Sequence, residues 1–109
     1  MISVKVTKNR NDEYIGFSCN GHAGYADNGK DIVCSAVSVL VINTINSIEK
    51  FTDSIFITDA DLKSGHIDFK FKSAPSKEAS LLIDSMVLGI SGIQQSYGKA
   101  YVTIKIKEV

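Results

Sequence analysis

The chain reads as an α+β fold of order β-β-α-β-β-α-β, with two helices packed on one face of a mostly antiparallel sheet. Five short segments alternate apolar and polar residues, which is the period of a half-buried strand. Two longer segments lie between them, one without turn residues and one with an apolar stripe at spacings of three and four. Clusters of Asn, Asp and Gly join the strands in pairs. Strands with one apolar face need a cover, and helices on that face supply it.

In chain order, residues 2–7 set Ile2, Val4 and Val6 against Ser3, Lys5 and Thr7. Asn9 to Asp12 supplies a turn. The second strand has Ile15, Phe17 and Cys19 on one face, opposite Tyr14, Gly16 and Ser18. That register makes Cys19 a core thiol. A glycine loop over 21–30 precedes Asp31, an N-cap able to accept the N–H of Val33 or Cys34. Residues 32–48 are rich in β-branched residues, yet they are too long and uninterrupted for a strand, so the segment is read as a helix to about Lys50. Its first half is apolar on nearly every side apart from Cys34, Ser35 and Ser38, which calls for burial on more than one face. Residues 53–58 read as a strand with Ile55 and Ile57 inward, and 59–65 as a turn. The next strand turns Ile67, Phe69 and Phe71 in and His66, Asp68, Lys70 and Lys72 out, so His66 is a surface histidine. Pro75 and the N-cap Ser76 open a second helix, whose inner face is Ala79, Ile83, Met86, Ile90, Ile93 and Tyr97. Gly89 and Gly92 weaken that helix, which a close neighbouring backbone would explain. Gly98 ends it, and a strand over 100–107 has Val102, Ile104 and Ile106 inward.

Residues 1–109 make one domain, long enough to bury a core without staples. Twelve basic residues balance twelve acidic ones, which speaks against direct nucleic-acid binding. No apolar run reaches the roughly 18 residues of a membrane span, and the N-terminus lacks signal-peptide order. A cytoplasmic location is expected. Reduced thiols follow, so Cys19 and Cys34 are not read as a disulfide. Two cysteines are too few for a zinc site, and neither a metal nor a cofactor is expected.

The chemistry gathers between Gly21 and Cys34. Gly21, Gly24 and Gly29 mark a loop, because glycine enters positive-φ turns without steric cost. His22 stands at its start, and Cys34 falls in the first turn of the helix that follows. A thiol there faces unpaired backbone N–H groups and the positive end of the helix dipole, which favour its anion. An imidazole on the loop can serve as base, so the pair has the equipment of a cysteine nucleophile. Asp27 or Asp31 could orient the imidazole through its second nitrogen, although capping competes for Asp31. Ser38, one turn beyond Cys34, shares its helical face. Neither a phosphate-cradling glycine motif nor a Cys-x-x-Cys pair is present.

Gly21-His22-Ala23, followed by Gly29-x-Asp31-Ile32-Val33-Cys34-Ser35-Ala36, resembles the signature of the bacterial ribosomal-processing cysteine proteases, the Prp family. Length and element order agree, so the resemblance covers essentially the whole chain. It implies a cytoplasmic homodimer that removes a short N-terminal extension from a large-subunit ribosomal protein. It also implies that His22 and Cys34 are catalytic, with Gly21, Asp31 and Ser38 as candidate supporting residues. A rival reading is a non-catalytic ribosome-associated binding module, which the balanced charge disfavours. A thiol acyltransferase or deamidase would use the same pair.

Overall fold

The computed structural model describes residues 1–27, 30–61 and 63–109. Its elements follow the predicted order: β1 (Ile2–Lys8), β2 (Tyr14–Asn20), α1 (Ile32–Phe51), β3 (Phe56–Asp61), β4 (His66–Phe71), α2 (Lys77–Tyr97) and β5 (Val102–Glu108). The sheet order is β3-β4-β2-β1-β5. Three pairings are antiparallel and the β1–β5 pairing is parallel.

Both helices bury one stripe into a single core shared with the sheet. From α1 come Val33, Val37, Val41, Thr44 and Ile48; from α2 come Ala79, Ile83, Met86 and Ile90. They meet Ile2, Val4, Val6, Phe17, Cys19, Ile67, Phe69, Phe71 and Val102. The β-branched residues of α1 disfavour a helix by only a few tenths of a kcal/mol each. Burying a side chain of that size contributes about 1.5–3 kcal/mol, so packing decides the conformation. Phe69 stacks on Phe17 and Phe56 with ring centroids 4.8 and 4.7 Å apart, closing the β3 end of the core. The α1 helix is long and apolar enough by length and composition to cross a membrane, which the count of consecutive apolar residues did not predict. Here its buried stripe is part of the shared core.

Four details of the strands and helices differ from the sequence reading. The β1–β2 register shifts between Thr7 and Lys8, so Tyr14 is buried and Ile15 only half-buried. Tyr14 also hydrogen-bonds Asp84 of α2, which ties the irregular end of β2 to the helix layer. The β3 strand begins three residues later than expected, at Phe56. Phe56 and Thr58 pair with Phe71 and Phe69, so Phe56 faces the core while Ile57 is 53% exposed. On β5, burial fades from Val102 to Ile106, which is 52% exposed, because this edge strand runs out past the helices. Finally, no backbone crowds the two glycines of α2. A Cβ on Gly89 would lie 2.9 Å from the Leu40 side chain, whereas one on Gly92 would meet nothing within 4 Å.

Candidate active site

The loop after β2 is pinned at several points. Gly21 adopts φ +94, and a Cβ there would lie 2.4 Å from the Met1 carbonyl oxygen, so only glycine lets the chain turn this close to β1. The Met1 nitrogen donates to the His22 carbonyl at 2.5 Å. Further along, Tyr25 packs edge-on against Tyr97 and Tyr101 with centroids 5.5 and 5.2 Å away. Gly29, which the sequence reading places in the motif, lies outside the described residues.

Asp31 ties this loop to the helix it caps. One carboxylate oxygen accepts from the Val33 and Cys34 amides, both at 3.0 Å. The other accepts from Tyr25 N–H at 2.9 Å and Ala26 N–H at 3.4 Å. Burial pushes the Asp31 carboxyl up, but the amides of Cys34, Tyr25 and Ala26 and the Cys34 thiol outweigh it, so it lies below the ordinary value. Among the described residues, neither Asp31 nor the exposed Asp27 hydrogen-bonds His22.

Cys34 sits in the first turn of α1, half-buried, and its Sγ accepts from the Ala23 N–H at 3.1 Å. His22 lies one residue before that amide. Its Nε2 is 3.1 Å from the Lys63 carbonyl oxygen in the β3–β4 turn. Cys34, His22, Gly21 and Ser38 line one cavity of about 80 Å³ together with Cys19, Ile67 and Gly65. A larger groove of about 450 Å³ on the other side of the sheet, lined by Ile15, Gly16, Ile57 and Lys70, contains neither cysteine nor His22. Chemistry rather than size selects the smaller one.

The remaining candidates separate from this centre. Cys19 is 6% exposed, and burial and then the neighbouring Cys34 push its thiol up to about 11. Both cysteines are free. His66 engages Asn20 through Nδ1 and Asp68 through Nε2 at 3.2 Å, on the outward side of the sheet. Among the described residues no group of three or more His, Cys, Asp or Glu side chains could hold a metal ion. The Lys63 carbonyl was not legible in the sequence, since every residue offers a carbonyl and only tertiary contact selects one.

A half-buried thiol at a helix start, an adjacent backbone donor and an imidazole in the same cavity have the chemical equipment of a thiol hydrolase. The model of the family described as cysteine protease Prp matches residues 1–103. The molecule is therefore a cysteine protease. The chain is 26% identical over 101 residues to the ribosomal processing cysteine protease Prp of Bacillus subtilis (strain 168), covering 89% of this chain and 90% of that one. It is also 26% identical over 99 residues to the protein of the same name from Staphylococcus aureus (strain Mu50 / ATCC 700699), covering 91% and 93%. Its fold matches the crystal structure of an essential ribosomal processing protease Prp from S. aureus in complex with a covalently linked product peptide. That match has a TM-score of 0.92 at 25% identity and covers 98% of this chain and 100% of the other. The chain belongs to the Prp family of cysteine proteases.

Proposed function

We propose that this protease removes a short N-terminal extension from a large-subunit ribosomal protein, with Cys34 as nucleophile and His22 as base. The observation that carries the reading is the Cys34 sulfur at the start of α1, held by the Ala23 N–H at 3.1 Å in the cavity that His22 lines. The substrate class is taken from the ribosomal-processing relatives.

In this mechanism His22 accepts the thiol proton, and Cys34 Sγ attacks the scissile carbonyl. The first-turn amides are poor candidates for the oxyanion hole, which corrects the simplest expectation for a helix-start thiol. Val33 and Cys34 N–H already donate to the Asp31 carboxylate, and Ser35 N–H donates to the Asp31 carbonyl at 3.0 Å. The Ala23 N–H, already aimed at the sulfur, is the available donor for the developing oxyanion. His22 then protonates the leaving amine, and water hydrolyses the thioester. Gly21 supports the turn that carries His22, Asp31 holds loop and helix together, and Ser38 lines the cavity. At about 80 Å³ the cavity is well below the roughly 300 Å³ of ordinary ligand sites, so it holds the reacting atoms while the rest of an extended peptide lies across the surface, where the glycine loop can close over it.

The catalytic unit is residues 1–109 acting as one domain, in the cytoplasm where ribosomal proteins are made, and as a homodimer. Support for the dimer comes from apolar residues left exposed on the outer helix faces, among them Val39, Leu81 and Leu88. The direct test is cleavage of a synthetic peptide copying the encoded N-terminus of the organism's own large-subunit ribosomal proteins. A single cut that needs Cys34 and His22 supports the reading. Intact peptides from every such protein with an encoded extension would overturn the substrate class.

A further inference from the structure

The second nitrogen of His22 is held by a backbone group rather than by a carboxylate. A carbonyl oxygen can only accept, so at 3.1 Å from Lys63 O the His22 Nε2 carries the proton. In the neutral ring the free lone pair is then on Nδ1. That nitrogen lies on the side of the ring nearest the chain, whose next amide, Ala23 N–H, touches the Cys34 sulfur.

The turn that offers this carbonyl is built to reach it. Asp61 Oδ1 accepts from Lys63 N–H at 3.0 Å, and the Ser64 hydroxyl donates to the Asp61 carbonyl at 3.2 Å, which fixes the turn locally. Gly65 completes it at φ +68. A Cβ on Gly65 would lie 2.4 Å from the Gly21 carbonyl oxygen and 3.2 Å from His22 Cε1. A Cβ is fixed by the backbone, so its 2.4 Å contact with a carbonyl oxygen cannot be relieved by a rotamer change, and any side chain there pushes the turn away from the imidazole.

We propose that the β3–β4 turn is the positioning element for the base: the Lys63 carbonyl selects the Nε2–H tautomer of His22, and the bare backbone of Gly65 lets the turn close on the ring. The inference rests on the assignment of His22 as base. During the reaction the Cys34 thiol proton moves to Nδ1, giving an imidazolium whose Nε2–H still donates to Lys63 O. The Nδ1 proton then passes to the leaving amine, and the ring returns to its starting tautomer. The turn thus does for His22 what an aspartate does in a triad, without adding a charge.

Long-range ¹H–¹⁵N spectra of the labelled protein, recorded where the rings are neutral, test this directly. Only two histidines are present, and His66→Gln assigns them. In the unsubstituted chain His22 is expected to show a protonated Nε2 and a bare Nδ1. The variant Gly65→Asn isolates the close approach, because asparagine tolerates positive φ but carries a Cβ. It should average the His22 tautomers and lower kcat on the substrate peptide by up to roughly 10²-fold, the cost of about 1 Å of misplacement, with KM little changed.

A proton on Nδ1 in the unsubstituted chain would overturn the proposal. So would Gly65→Asn at full kcat, or a loss of kcat with the tautomer intact. If the variant does not fold, the spectrum of the unsubstituted chain decides alone. The base assignment fails separately: His22→Ala would then cleave normally. An inactive His22→Ala together with an Nδ1–H ring in the unsubstituted chain would sink only the role of the turn.

Discussion

At the scale of single residues, Asp31 shows how position multiplies the value of a side chain. As a helix cap alone it would exchange freely with asparagine. In the fold its two oxygens serve four amides, two on the helix and two on the loop. An amide side chain has one acceptor oxygen, so Asp31→Asn keeps the cap or the loop tie, not both. We expect a loss of about 1–3 kcal/mol in urea unfolding. The pH dependence follows from the lowered carboxyl. The Asp31 contribution is complete above the ordinary value of 3.8 and is lost as pH falls through the lower folded value. Acid titrations of the parent and Asp31→Asn should therefore converge at low pH; parallel curves would contradict the four-amide clamp.

The two cysteines make a second contrast at this scale. Cys34 is half-buried at the cavity, while Cys19 is buried and its thiol is pushed up to about 11. Alkylation followed by peptide mapping should find Cys34 modified well ahead of Cys19. Cys34→Ala should fold normally and lose roughly 10³-fold or more in peptide cleavage, the scale of a lost covalent nucleophile. Activity within tenfold of the parent would remove Cys34 from the chemistry.

At the scale of elements, the glycines of α2 have different histories. Gly92 faces open space, so Gly92→Ala should stabilise the protein by up to about 1 kcal/mol through helix propensity. Gly89→Ala gains the same propensity but forces Leu40 to move, since the new Cβ would lie 2.9 Å from its Cδ1. Urea midpoints should rank Gly92→Ala above Gly89→Ala, and the reverse order would contradict the helix–helix packing. The strand that differed most from its sequence reading, β3, is instructive for the same reason. Ile55 and Ile57 looked like an inward pair, but pairing with β4 places Phe56 beside Phe69 and Phe71. An aromatic ring covers the core end better than an isoleucine does, and the one-residue slip reverses every side chain.

For the whole molecule, the outer helix surface sets the expectation. Val39 is 65% exposed and Leu88 is 76% exposed, on helices that each bury a separate stripe in the core. Such residues lose contact with water if a second copy covers them, and stable interfaces of that kind exceed roughly 2,000 Å². Light scattering across a dilution series should report a dimer, and Val39→Lys with Leu88→Lys should shift it toward monomer. A fully active monomer at nanomolar concentration would rule the dimer out.

The element order, both hairpins, the Asp31 and Ser76 caps and the place of Cys34 in the first turn of α1 were legible from the chain alone. Each depends on local chemistry: alternation, capping side chains, positive-φ glycines, and a thiol in the first turn of a helix. What the chain alone did not disclose is which groups meet across long separations. The β1–β2 irregularity that buries Tyr14, the slip in β3, the Leu40–Gly89 contact and the Lys63 carbonyl on His22 all depend on neighbours brought together by the sheet order. A backbone carbonyl carries no residue-specific mark, and strand register is a difference between nearly equal pairings. Only packing of the whole sheet against both helices makes one of them the lowest in free energy.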